Sequence, residues 1–143
     1  MKFQKKYKKY LVVASILFCG LNASQMISKA ATSNSSYTIV APPSSLNPWG
    51  SGFTAYQVKA KHNTNAYAYL SSSTNYRRIA FQSSSSNANY TPYSSYIVPK
   101  KSVTIRMGNA SQVAGKRYGI AAKAHGTDAG ILNTTARGSW RNN

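Results

Sequence analysis

Alternation with a period of two constrains this chain more than any other feature. Over Phe53 to Lys61, the residues Tyr56, Val58 and Ala60 fall on one side of an extended strand, and Gln57, Lys59 and Lys61 on the other. That is the pattern of a strand with one face toward a core. Val103, Ile105 and Met107 repeat it with Arg106 opposite, and so do Tyr118, Ile120, Ala122 and Ala124 against Arg117, Ala121 and Lys123. Shorter β-prone runs lie at Tyr37 to Ala41, Ala66 to Leu70, Tyr76 to Gln82 (Ile79 and Phe81 on one face), Tyr96 to Val98, Ile131 to Thr135 and Arg137 to Arg141. Turn formers separate the runs: Pro42 and Pro43, Asn47 to Gly50, Asn63 to Asn65, Ser71 to Asn75, Gly108 and Asn109, and Gly126 to Gly130. Trp49, in the second of these turns, is read as a plug for the core, the other reading being an exposed platform for a ligand. The Ser, Asn and Tyr-rich stretch from Ser83 to Tyr93 reads as a long surface loop or an irregular edge strand. No amphipathic helix stands out. Short strands between turn signals predict an all-β fold, a small antiparallel β-sandwich of roughly seven to nine short strands.

The first thirty residues do not belong to that pattern. Five lysines occur within the first nine residues, followed by an apolar run from Leu11 to Leu21 and small residues at Ser28, Ala30 and Ala31. A charged start, a short apolar middle and a small-residue end are the parts of a secretory signal peptide. The run is shorter than the roughly 20 apolar residues a bilayer span requires. Cleavage after Ala30 is expected, with a cut after Ala23 as the alternative. The expected organisation is therefore a signal peptide over 1–30, a flexible leader over 31–36, and a single all-β domain over 37–143. The only cysteine, Cys19, lies in the signal, so the rest of the chain is held without disulfides. An exported protein of this kind suggests a Gram-positive source, secreted to the exterior or loosely associated with the cell wall.

Charge bears on partners. Six of the 18 basic residues precede residue 31, leaving twelve against one acid, Asp128, a formal +11. Such an imbalance sets a positive potential over much of the surface. It points to anionic cell-wall polymer or an anionic membrane surface as partner, with nucleic acid bound only non-specifically. Lys59, Lys61, Arg106 and Lys123 all stand opposite the apolar side of their own run, so strands sharing a sheet would gather them into one basic field. Arg77, Arg78, Lys100 and Lys101 would extend its rims, and tyrosines would interleave with it. Rings beside cations suit anionic polymers, because charge attracts and the ring faces give contact area.

Enzymatic chemistry has little to work with. Glycoside hydrolysis uses two carboxylates, and the chain has one acid in all. No thiol follows the signal. Metal sites draw on clusters of His, Cys, Asp and Glu, and here only His62, His125 and Asp128 remain. His125 and Asp128 have a spacing that a metal or a catalytic pair uses, yet they sit in a glycine-flanked turn where both types occur for backbone reasons. No nucleophile elbow, phosphate-cradling loop or dinucleotide fingerprint is present. The expectation is no enzyme, no metal and no cofactor.

The segment from Tyr118 to Ala122 through a Gly and Asn-rich turn to Gly138, Ser139 and Trp140, together with Tyr76 and Arg77 after a polar turn, resembles a family of small exported Gram-positive proteins of unknown function found near lactococcin-like bacteriocin genes. The resemblance implies a secreted β-sandwich tied to bacteriocin or envelope biology and assigns no site residue. The leading expectation is a non-enzymatic basic protein binding anionic envelope polymers or surfaces. The alternatives are a bacteriocin-like antagonist of neighbouring bacteria and a self-assembling extracellular structural protein.

Overall fold

The computed structural model describes residues 34–85 and 90–143. The expected signal peptide therefore lies outside the described residues. The strands are β1 (Ser35–Ala41), β2 (Thr54–Val58), β3 (Ala66–Ser73), β4 (Ile79–Ser84), β5 (Lys101–Ile105), β6 (Arg117–Ala124) and β7 (Thr134–Asn142), with a one-turn helix, α1 (Gly126–Ala129), before the last. They form two antiparallel sheets, one in the order β1-β7-β3-β5 and the other β2-β6-β4. The fold is all-β, as the alternation predicts.

The sheets face each other across an apolar interior. Tyr37, Ile39, Leu70, Ile105, Ala136 and Trp140 come from the first sheet, and Ile79, Phe81, Ile120, Ala122 and Ala124 from the second. Burying a side chain of Leu or Ile size contributes about 2 kcal/mol, so this layer is the main source of stability. Two polar tips cross it with partners in place. Trp140 Nε1 donates to the Ala55 carbonyl at 2.7 Å, joining the sheets. The Tyr37 ring lies 5.5 Å from that of Phe81, and its hydroxyl donates to the Tyr69 carbonyl at 2.9 Å. To reach β3 from β1, Tyr37 passes over Gly138 of β7, its partner in register. A Cβ on Gly138 would collide with the Tyr69 carbonyl and the Tyr37 hydroxyl.

Several boundaries differ from the sequence reading. β1 begins at Ser35, inside the segment read as a flexible leader, because Ser35 and Ser36 pair with Trp140 and Ser139. Of the run read as Ile131 to Thr135 only Thr134 and Thr135 are strand, and they continue into the last run as β7, which has a partner on each side from Ala136 to Trp140. Tyr96 to Val98 forms only a bridge, Ile97 with Ile79. Thr91, Ser94 and Ile97 each donate a backbone N–H to β4, at Ser83, Phe81 and Ile79. The described part of the Ser, Asn and Tyr-rich region thus follows β4 as an irregular edge.

β2 carries the clearest inversion. Gln57 and Lys59 point inward and are buried, while Tyr56 is exposed and Val58 only partly covered. The register with β6 shifts between Thr54 and Gln57, and Ala55 there has a φ of 48°. Such a bulge re-aims the side chains beyond it. The inward polar groups are matched from β7: Gln57 Nε2 donates to the Trp140 carbonyl at 3.0 Å, and the Asn142 N–H donates to Gln57 Oε1 at 2.8 Å.

Candidate functional site

The outer face of the second sheet is floored by small residues. Gly119 and Ala121 of β6 are buried there, and a Cβ on Gly119 would lie 3.0 Å from both Phe53 Cβ and Tyr56 Cε1. The missing side chain lets those two rings lie against the strand. The chain from Pro42 to Gly52 runs beside the second half of β6: Ser44 N–H donates to the Ala124 carbonyl, and Ser51 N–H to the Ala122 carbonyl. On the far side stands the 91–97 edge. Between them opens a cleft of about 720 Å³, walled by Trp49, Phe53, Tyr56, Tyr90 and Tyr93 over Gln82.

Local chemistry sets the Trp49 wall. Asn47 Oδ1 accepts from the Trp49 N–H at 3.1 Å, and Asn47 Nδ2 donates to the Gly50 carbonyl at 3.0 Å. This side-chain turn is what Asn favours. Gly50 has a φ of 77°, and a Cβ there would strike the Tyr93 hydroxyl. That hydroxyl donates to the Trp49 carbonyl at 2.7 Å. Lys123 Nζ lies 4.0 Å from the Tyr93 ring centroid and donates to the Pro48 carbonyl at 3.3 Å. Burial pushes the Tyr93 phenol pKa up and the Lys123 ammonium pKa down. Gly50→Ala is expected to lower unfolding free energy by about 2 kcal/mol in a denaturant titration, from the left-handed φ and the clash together.

Trp49 is 83 % exposed, which corrects its reading as a core plug. The interior is already filled by Trp140, and two short turns around Asn47 and Gly50 hold the ring outward. Among the residues absent from the charge-based reading, Phe53, Tyr56, Gln82, Tyr90 and Tyr93 build the cleft. The signal for them was the concentration of aromatics beside turns, which sequence alone assigns equally to a core.

The eight basic candidates do not form one sheet face. Lys59 is 0 % exposed, and its Nζ donates to the Thr64 carbonyl at 2.7 Å, Asn142 Oδ1 at 2.8 Å and the Asn143 carbonyl at 2.9 Å. It is a structural group and not a surface ligand-binding one. Burial lowers its pKa to about 8. Arg77 is likewise buried, donating to Thr134 Oγ1 at 3.1 Å. Arg78 is bound to the single acid, with Nη2 at 2.7 Å from Asp128 Oδ1 and Nε at 2.8 Å from Oδ2. Its hydrogen bonds hold the Asp128 carboxyl well below the usual range. His125 joins that group through Nδ1, 3.2 Å from Arg78 Nη2 and 2.7 Å from Thr127 Oγ1. Because a guanidinium only donates, Nδ1 is the acceptor, and the cluster ties α1 to the start of β4.

Lys61, Lys100, Lys101 and Arg106 are exposed and Lys123 partly so. Lys100 and Lys101 stand at the start of β5 in the first sheet, and Lys123 on the second. Lys61 and Arg106 each follow a strand that finishes at the end where β2, β5 and β7 finish and β3 and β6 begin. Asn65 Oδ1 accepts from the Met107 N–H at 3.2 Å there. Lys116 and Arg117 share this end through the Lys59 N–H bond to the Lys116 carbonyl, and Arg141 through its pairing with Tyr67. Arg117 lies 5.5 Å from the Tyr56 ring centroid, and Arg141 5.3 Å from that of Tyr67. Five cations thus lie toward this end, Arg117 on the outer face of the second sheet and Arg141 on that of the first, and the one acid of the chain, Asp128, is held by Arg78 within α1, past the opposite end of β6.

Among the described residues no group of three or more His, Cys, Asp or Glu side chains stands together to hold a metal. No family model, curated protein or solved structure matches this chain.

Proposed function

We propose that this protein is an exported, non-enzymatic binder of anionic cell-envelope polymer. Its contact surface is the basic end built from Lys61, Arg106, Lys116, Arg117 and Arg141, in place of a field of lysines on one sheet. The observation that carries the reading is the placement of five cations toward one end of the strands with no carboxylate side chain there, two of them lying over tyrosine rings. A polyanion meets no acidic side chain there to repel it. Arginine over a ring is also held in place before binding, and such pairs contribute about 0.5–1 kcal/mol at exposed sites.

Purified protein mixed with isolated Gram-positive walls tests this. Retention is expected to fall about tenfold or more between about 0.05 M and about 0.5 M salt, since exposed charges are screened over that range. Walls stripped of teichoic acid are expected to retain little at either salt. Lys61→Gln combined with Arg117→Gln should weaken retention, while Lys100→Gln with Lys101→Gln should leave most of it. Retention independent of salt and of teichoic acid would refute the proposal.

A further inference from the structure

The aromatic cleft carries a signal that charge does not explain. None of its lining residues bears a charge. Two cations border it without lining it, Lys123 against the Tyr93 ring and the Pro48 carbonyl, and Arg117 against the Tyr56 ring. Gln82, on the floor and only 8 % exposed, is the carboxamide among the residues that line the cleft. An amide facing a cleft offers both a donor and an acceptor to a ligand that itself donates and accepts.

We propose that this cleft binds a neutral saccharide ring. A pyranose offers apolar C–H faces to the Trp49 and Tyr90 rings, which are exposed at the walls, and adjacent hydroxyls to both atoms of the Gln82 carboxamide. The volume of about 720 Å³ suits one or two rings and lies within the usual range for ligand pockets. Single-stranded nucleic acid also stacks on aromatics, but its grooves run cations beside the bases to follow the phosphates. This lining has none. The proposal rests on the cleft's own lining and meets the basic end only where Arg117 lies over the Tyr56 ring.

The chain has two tryptophans. Trp140 is buried and Trp49 lies open at the cleft, so a ligand-dependent change in emission reports on Trp49. Maltotetraose, cellotetraose and the N-acetylglucosamine tetramer are titrated separately into the purified protein in about 0.5 M salt, where charge-driven association is screened. At least one is expected to shift the emission to the blue and to saturate. Gln82→Ala is expected to weaken that ligand about tenfold, and Tyr90→Ala, at an exposed position that does not test the core, comparably. The inference is overturned if none of the three sugars changes the emission, if both variants bind like the parent, or if a thymidine decamer displaces the sugar at this salt. Loss of wall retention with an intact sugar titration, or the reverse, separates failure of the basic end from failure of the cleft.

Discussion

Unfolding free energy is expected to rise as pH increases from about 8 to about 10, by up to about 3 kcal/mol, and to turn down beyond it. The rise comes from Lys59. Its pKa is about 8 in the folded protein, against 10.5 when unperturbed, because burial penalises the ammonium. Between those values the unfolded chain holds more protons than the folded one, so stability increases with pH. A difference of about 2.5 units corresponds to about 3 kcal/mol. The downturn comes from tyrosine. Burial raises the Tyr37 phenol far above its ordinary value of 10.0, so above pH 10 the unfolded chain sheds a proton that the folded one keeps. Stability should therefore peak near pH 10. Chemical denaturation at intervals from pH 7 to pH 11 checks the shape. Lys59→Met should abolish the rise, and it also leaves the Thr64, Asn142 and Asn143 oxygens without their donor, at about 1 kcal/mol or more each. An unchanged slope in that variant would assign the rise to another group.

Gly138→Ala is expected to be among the most damaging single-methyl additions available to this chain, costing about 3 kcal/mol or more. Small-to-large changes in packed interiors cost about 1–3 kcal/mol, and here no flexible side chain stands ready to yield. The new methyl would meet the Tyr69 backbone carbonyl and the Tyr37 hydroxyl, so the hydrogen bond between them is lost as well. Tyr37→Phe alone should cost about 1 kcal/mol, the ordinary worth of such a bond. Combining the two is expected to cost less than their sum, because they act on the same contact. A thermal melt of the three variants reads all of this. Full additivity would show that Gly138 matters for some reason other than the passage of Tyr37.

Where each strand lies could be read from the sequence wherever an apolar face met an apolar core. β6 shows this best: Tyr118, Ile120, Ala122 and Ala124 are all buried, with Arg117 outward. β5 and β4 follow the same rule through Ile105, Met107, Ile79 and Phe81. The rule misled at β2 because its inward residues are polar and find partners in Trp140 and Asn142, more than eighty positions away. Nothing local to Gln57 or Lys59 announces those acceptors, and the bulge at Ala55 shifts the parity by one. The proposed basic field failed for a related reason. It required Lys59, Lys61, Arg106 and Lys123 to share a sheet, whereas β5 lies in one sheet and β2 and β6 in the other. Sheet membership depends on pairings between distant segments, which period-two patterns do not encode. Trp49 was misread because the same residue type plugs interiors and lines ligand sites, and only its turn geometry decides between them.

The neighbour of β1 in its sheet is β7, and this sets the order of events during biogenesis. Some ninety residues of chain separate the two strands, so their pairing waits on a closure whose entropic cost grows with loop length. A polypeptide emerging N-terminus first, from a ribosome or through a translocation pore, presents β1 long before its partner exists. The second sheet, whose strands end at Ala124, and the β3–β5 pair can assemble earlier, but β1 and β3 are joined only when β7 arrives between them. The chain therefore remains threadable for almost its whole length and locks in a late step, as long-range β pairing makes folding slow. Under the export proposed above, that timing would let the chain pass a narrow channel before it acquires its shape.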